Sequence, residues 1–279
     1  MPELPEVETV RRGLKEFILD AKLKRVEVLC EKSFIGEPKI GKITNIRRFG
    51  KALILDLDNG YSFMIHLRMT GQLIFDGKER YAAGHPSDNF VAQLPNKQTR
   101  VIIKLENGAL YFNDQRKFGF IKSLKTDQVE NDSFIKKLAK EPWQMAEKEF
   151  YEKLQQHPKS PIKAVILDQT IICGLGNIYA DESLFAAKIH PETKAGNINR
   201  IKAKNLLLAA RDVMQKSIDS GGSTMKDYVK ADGTKGDYLD KFAQVFNRTG
   251  QICPACGKAK IIKIKVAGRG THVCERCQQ

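Results

Sequence analysis

The chain opens MPELPEVETV, and removal of Met1 would leave the secondary amine of Pro2 as its terminus. An α-amino group titrates near 8 and a lysine near 10.4. At pH 7 roughly a tenth of the first is neutral, against roughly one part in 2,500 of the second. That is a ~200-fold advantage in free nucleophile, which proline's greater basicity erodes unless the site compensates. Attack on an aldehyde carbon gives an iminium, cationic without further protonation and therefore an electron sink. Glu3, next to the amine, can move protons. A plain structural reading stands beside this one. Glu6 and Glu8 fall in the first turn of a helix, where the macrodipole alone favours carboxylates, and Pro2 can be mere punctuation.

A second chemistry lies at the other end. Cys253-x2-Cys256, seventeen residues, then Cys274-x2-Cys277 is the spacing of a structural zinc site. Each CxxC turn aims two thiolates at one point, and two turns complete a tetrahedron, so one structural Zn2+ is expected. Ile262, Ile264 and Val266 alternate with Lys263 and Lys265 as a strand. Ala267-Gly268-Arg269-Gly270 turns, and Thr271-His272-Val273 returns. Such a hairpin is too small to hold itself together without metal. His272 is not expected as a ligand, because four sulfurs close the site. From Arg248 onward seven Lys+Arg face Glu275 alone, a net of +6. Arg269, between two glycines at the tip, is either a solvated turn arginine or a phosphate or minor-groove contact. Cys30 and Cys173 read as small buried residues.

The middle of the chain offers an anion seat. Gly174-Leu175-Gly176-Asn177 precedes a helix running toward Lys188, with Asn177 expected as its N-cap and free N–H groups beside it. Pro191 marks a turn before a further helix, on which Leu206, Ala209, Ala210, Val213, Met214, Ser217 and Ile218 form a stripe. Two helices joined by two short turns suggest a helix–two-turn–helix DNA module.

Other elements must position these groups. Val7, Val10, Leu14, Phe17 and Ile18 predict a helix over 5–18, with Pro5 in its first turn. Short apolar runs on either side of Asp58-Asn59-Gly60 and of Glu106-Asn107-Gly108 predict two hairpins. The expected fold is α+β and multidomain. Residues 1–125 form an antiparallel β-sandwich behind a leading helix, and 126–160 a linker rich in proline and charge. Residues 161–247 form the helical domain, with a Gly-, Ser- and Lys-rich loop, and 248–279 the zinc-finger hairpin.

Forty-seven Lys+Arg against 33 Asp+Glu, a net of +14 over 279 residues, point to a polyanionic partner, nucleic acid first. No basic amphipathic helix or lipidation signal supports a membrane partner. No run approaches the ~20 apolar residues of a membrane span. Without a secretory signal the expected compartment is the cytoplasm.

MPELPEVETV, GLGNIYADE and GRGTHVCERCQ together resemble the formamidopyrimidine-DNA glycosylases over essentially the whole chain. The resemblance implies a base-excision repair enzyme that extrudes an oxidised purine such as 8-oxoguanine from double-stranded DNA. It would cut the glycosidic bond and nick the strand by β,δ-elimination. The residue pattern itself suggests a monomer. The resemblance assigns Pro2 as nucleophile at C1′, Glu3 as acid/base for ring opening, and Glu6 as support for the site. Lys51 of RRFGKALILDL would contact phosphate and assist proton transfer. Met69, Arg116 and Phe118 would fill the hole left by the base, Arg116 facing the orphaned cytosine. Lys163, Asn177 and Arg269 would hold the flanking phosphates. GGSTMKDY matches the loop that closes on the damaged base, with Lys226 a candidate contact.

Some positions depart from the pattern. Lys97-Gln98-Thr99-Arg100-Val101 stands where the family often has KHDHV, which loses a histidine but leaves Arg100 to hold a phosphate. LAKEPW and VFNRTG replace LGPEPL and VYGRxG. The sibling endonuclease VIII usually begins PEGPE and prefers oxidised pyrimidines. PELPE with Met69, Arg116 and Phe118 points to the purine enzyme. A non-catalytic zinc protein on the same scaffold would leave Pro2 and Glu3 idle. A proline-based tautomerase would leave the zinc hairpin and the charge unexplained.

Overall fold

The computed structural model describes residues 2–84, 93–222 and 238–279. They divide into two compact units. One holds the described residues up to Lys136 together with 220–222. The other holds Lys137–Asp219 and runs from Tyr238 to Gln279.

The first unit is a sandwich of two five-stranded sheets. One sheet runs in the order β1 (Leu23–Val28), β8 (Thr99–Leu105), β9 (Gly108–Asp114), β6 (Gly71–Gly77), β7 (Arg80–Gly84). The other runs β2 (Phe34–Ile35), β10 (Phe120–Lys125), β5 (Tyr61–His66), β4 (Ala52–Leu57), β3 (Ile43–Phe49). Pairing is antiparallel except between β2 and β10, which run parallel. Both Asn-Gly turns form as expected, joining β4 to β5 and β8 to β9, with Gly60 and Gly108 at positive φ. Alternating residues, among them Leu53, Leu55, Phe63, Ile65, Leu73, Val101, Ile103, Leu110 and Phe112, face inward and fill one apolar core.

Helix α1 (Leu4–Ile18) carries the N-terminus into this unit. Val7, Val10, Leu14 and Ile18 are buried on one face, and Phe17 stacks on Phe75 and Tyr81. Gly13 permits a close approach to β7. A Cβ there would lie 2.2 Å from the Tyr81 ring, whose hydroxyl donates to the Thr9 carbonyl at 3.2 Å.

The second unit contains α2 (Glu147–Gln155), α3 (Ile162–Leu167), α4 (Asn177–Ala186), α5 (Arg200–Asp219), the short α6 (Tyr238–Lys241) and the hairpin β11 (Ile262–Val266) with β12 (Arg269–Val273). Helix α5 buries the expected stripe with the addition of Ala203 and Leu207, while Ala209 is only half-buried. The stretch 126–160 is more than a connection. It holds α2, which buries Phe150 and Leu154 and packs on α5, and the division between units falls near 136. Helix α4 is enclosed along most of its length, and packs against α3, α5 and β12. Among the described residues no helix is long and apolar enough to cross a membrane.

Candidate active site and metal centre

The start of α1 fixes the N-terminal residues. Glu3 is the N-cap, and its N–H donates to Glu6 Oε2 at 2.8 Å while its own carboxylate receives the Glu6 N–H. This reciprocal capping box satisfies two otherwise orphaned donors. It also locks the backbone that bears Pro2. Pro2, Glu3 and Glu6 are all buried. Gly222 lies beside this box, where a Cβ would sit 3.5 Å from Glu6 Oε1, and it has a φ of +91°.

Glu8, one helical turn on, accepts from three guanidiniums, Arg11 (2.8 Å), Arg12 (2.9 Å) and Arg48 (3.0 Å). Burial alone would raise its carboxyl, but the three charged donors override it and hold the group down at about 2. Arg48 also donates from Nη1 to the Gly50 carbonyl at 3.0 Å. Gly50 and Lys51 are the two-residue turn between β3 and β4, Gly50 supplying the positive φ its first position needs. The chain Glu8–Arg48–Gly50 thus sets the Lys51 turn against α1. Lys51 itself is buried.

Two further loops of this unit are joined by one carboxylate. Asp114, at the end of β9 and 1% exposed, accepts from the Thr70 hydroxyl. It also accepts from the Arg116 N–H at 3.1 Å and from the Gly119 N–H at 2.7 Å. Thr70 Oγ1 in turn receives the Arg116 N–H. Met69 is half-buried beside Thr70. Phe118 is 55% exposed, and the Arg116 guanidinium lies 4.8 Å from its ring centre. His66 accepts the Arg68 N–H at Nδ1, 3.0 Å. Burial, then the nearby charges of Arg68 and Lys51, push this imidazole down to about 3, so it stays neutral.

Arg100 does not fill the place expected of it. It is mostly buried, and its guanidinium donates to the carbonyls of Asp114 (2.7 Å) and Lys97 (3.2 Å) and to Gln98 Oε1 (3.3 Å). It braces the strand end that carries Asp114 and does not stand free for a phosphate.

In the second unit Lys163, Asn177 and Arg269 come together, but in unequal roles. Lys163 is fully buried. Its ammonium lies 2.6 Å from Asp181 Oδ1 and also donates to Thr271 Oγ1 (2.7 Å) and the Gly270 carbonyl (3.2 Å). That is a correction to its reading as a phosphate contact, because solvent does not reach the charge. Asp181 Oδ2 accepts the His272 N–H at 2.9 Å and lies 3.2 Å from the His272 ring. Asn177 is the first residue of α4, and Gly176 is the cap. Its Nδ2 donates to the Gly270 carbonyl at 3.0 Å, and its buried Oδ1 has no partner. Arg269 opens β12 and is exposed. Ala267 and Gly268, both at positive φ, form the two-residue turn before it.

The four cysteines converge. Their sulfurs all lie within 4.8 Å of one another, with Cys253–Cys277 at 3.8 Å and Cys256–Cys274 at 3.9 Å. A tetrahedron with Zn–S of ~2.3 Å has edges of about 3.8 Å, whereas a disulfide needs ~2.05 Å. The donor set fits one structural zinc held by four thiolates. His272 lies outside it, as expected, packed edge-on against Phe246.

Three family models match consecutive stretches of the chain. The formamidopyrimidine-DNA glycosylase N-terminal domain covers residues 1–121, the H2TH domain of the same glycosylase 138–229, and a zinc finger found in FPG and IleRS 250–279. The chain belongs to the formamidopyrimidine-DNA glycosylase family. Curated members from Pelotomaculum thermopropionicum and Rickettsia conorii are 41% and 39% identical to it, and each alignment covers all of this chain and 99% of the relative. A Lactococcus lactis FPG mutant in complex with Fapy-dG-containing DNA superposes with a TM-score of 0.87 at 36% identity, covering both chains fully. The L. lactis protein with an abasic-site DNA gives the same values, and the wild-type protein with an oxidised-pyrimidine DNA gives 0.86.

Within this family frame, Lys226 lies outside the described residues. Sequence reasoning missed Arg48, Thr70, Asp114 and Asp181 as partners of the candidate residues. Only the acidic pair in GNIYADE hinted at one, since two carboxylates in an apolar helix need compensation. Glu182, the second of that pair, accepts the N–H groups of Gln244, Val245 and Phe246.

Proposed function

We propose that this chain is a bifunctional glycosylase and abasic-site lyase acting on oxidised purines in double-stranded DNA. The observation that carries the reading is the capping box of Glu3 and Glu6, which holds Pro2 at a defined place just ahead of a rigid helix. With Met1 removed, the Pro2 nitrogen attacks C1′ of an extruded nucleotide. The glycosidic bond breaks with its electron pair leaving on the base, which takes up a proton. Protonation of O4′ by Glu3 opens the sugar and leaves an iminium. That electron sink acidifies the C2′ hydrogen, whose loss expels the 3′-phosphate, and a second elimination expels the 5′-phosphate.

The remaining roles divide between the units. In the first, Lys51 assists proton transfer, Glu6 supports the amine, and Met69, Arg116 and Phe118 fill the vacated stack. In the second, Arg269 and Asn177 hold phosphate at the end of the zinc hairpin. When bound, the zinc supplies no chemistry and keeps Cys253, Cys256, Cys274 and Cys277 in one small fold. The chain acts as a monomer, with its expected compartment the cytoplasm.

Borohydride reduction of the protein mixed with a duplex carrying one 8-oxoguanine opposite cytosine tests this. A covalent adduct on a peptide beginning at Pro2 is expected, and Pro2→Gly should abolish it while damaged-duplex binding survives. Undiminished nicking by Pro2→Gly would sink the nucleophile assignment. Trapping confined to oxidised pyrimidines would overturn the purine reading. Binding without trapping on either lesion would leave a non-catalytic DNA-binding protein.

A further inference from the structure

Met69, Arg116 and Phe118 sit on two loops far apart in sequence, and each loop contains a residue in the left-handed region. Arg68 has a φ of 51° and Lys117 a φ of 57°. For a non-glycine residue that conformation is strained and persists only where neighbours over-determine it. The bracing is on both sides. Asp114 accepts the N–H groups of Arg116 and Gly119, on either side of Lys117. The Leu67 carbonyl accepts the Gly71 N–H at 2.9 Å, closing the first loop. Neither Gly71 nor Gly119 has room for a Cβ, which would fall 2.4 Å from the Leu67 carbonyl oxygen and 2.8 Å from the Phe112 ring. The loops meet at one link, the Thr70 hydroxyl, which donates to Asp114 and accepts from Arg116.

We propose that Asp114, acting through Thr70, is the positioning residue that makes Met69, Arg116 and Phe118 move as one unit, and that discrimination of the base opposite the lesion depends on this clamp. The inference rests on the reading of those three side chains as the group that fills the vacated stack. Asp114 touches no DNA in this role. A carboxylate is required because all its neighbours donate. An asparagine turns its NH2 toward at least one of them and leaves two donors facing. Thr70→Val keeps the volume and removes only the link between loops.

The test uses full-length Thr70→Val, Thr70→Ser, Asp114→Asn and Arg116→Ala. Single-turnover excision of 8-oxoguanine is measured opposite cytosine and opposite adenine, alongside borohydride trapping on a preformed abasic site. Thr70→Val and Asp114→Asn should slow excision opposite cytosine by on the order of tenfold, as expected of a small misplacement. The cytosine-to-adenine ratio should fall toward one, abasic-site trapping should persist, and Thr70→Ser should restore the wild-type ratio. An unchanged ratio in both Thr70→Val and Asp114→Asn, with a collapsed ratio in Arg116→Ala, would overturn the clamp and leave the stack-filling reading standing. An unchanged ratio in Arg116→Ala would overturn that reading and the clamp with it. A Thr70→Ser variant as impaired as Thr70→Val would assign the loss to packing and overturn the clamp. Where Asp114→Asn does not fold, the Thr70 pair decides.

Discussion

Lys163 and Asp181 form an ion pair with 2.6 Å between Nζ and Oδ1, and neither side chain is exposed to solvent. Two charges removed from water are tolerated only where hydrogen bonds satisfy the rest of each group. Here Thr271 and Gly270 complete the ammonium, and His272 completes the carboxylate. The pair therefore fastens α3 and α4 to β12, one residue from Arg269.

Removing either partner should destabilise the second unit by about 3–5 kcal/mol, because the other charge is left buried. Urea denaturation of Lys163→Met and Asp181→Asn checks this. The salt dependence of duplex binding separates position from contact. Arg269→Ala should lower the slope of log K against log salt by about 0.9, the value for one lost phosphate contact. Lys163→Met, wherever it remains folded, should leave the slope unchanged. A lowered slope there would restore Lys163 as a phosphate contact.

What was legible in the chain was what is local. The α1 stripe, the two Asn-Gly hairpins and the paired CxxC turns each carry their signal within a few residues, through period, backbone φ or ligand spacing. Asp114 reaches back to Thr70 and Glu8 forward to Arg48, 44 and 40 positions apart. Lys163 finds Thr271 108 positions away. No local pattern encodes such pairs, so a lysine destined for burial reads like any surface lysine. Arg100 misled for the same reason, since its acceptors at Asp114 and Lys97 are backbone carbonyls, whose direction depends on the fold. Helix α2 escaped notice because Phe150 and Leu154 alone make too short a stripe amid prolines and charges.

Stability should fall on acidification in two overlapping windows. Neutral His66 is depressed to about 3 in the folded chain from 6.5. The unfolded chain therefore takes up its proton first, and the stability this group contributes is whole above about 6.5 and is lost as pH falls through 3. Glu8, held at about 2 from 4.5, contributes stability above 4.5 that is lost as pH falls through 2. From these two groups the slope of unfolding free energy against pH is about one proton between 6.5 and 4.5 and rises toward two below. His66→Asn, which keeps an acceptor near Nδ1, should flatten the upper window, and Glu8→Gln the lower. Urea titrations across pH 3–8 decide it, and an unchanged upper slope in His66→Asn would refute the neutral histidine.

Gly13→Ala sets two effects against each other. Alanine improves helix propensity by about 1 kcal/mol. Its Cβ, however, would fall 2.2 Å from the Tyr81 ring, and overpacking a core costs about 1–3 kcal/mol. The ring is stacked on Phe17 and bonded to Thr9, so it has little freedom to yield. The variant should therefore be less stable by urea denaturation. Adding Tyr81→Leu should reverse the sign of the glycine substitution, because propensity then acts unopposed. A stabilised single variant would mean that α1 can shift away from β7.

Chelation of zinc should remove duplex binding while the β-sandwich stays folded. The sandwich core is built from its own strands and α1, and no cysteine of the cluster contributes to it. The hairpin has only five residues per strand, and the apolar group around the cysteines is Phe185, Val245 and Ile261 with the sulfurs themselves. Without metal nothing joins the four sulfurs, and the ~10–16 kcal/mol that structural zinc supplies to such modules is lost. Arg269 then has no fixed turn to stand on, and Thr271 and His272 no longer face Lys163 and Asp181. Cys253→Ser should reproduce the loss in metal-replete protein. The far-UV signal of the strands and the burial of Phe63 and Phe112 should survive both treatments, measured by circular dichroism and by proteolysis of the 1–136 region. Retained binding after complete metal removal would take the hairpin out of the DNA interface and leave α4 as the sole phosphate seat of the second unit.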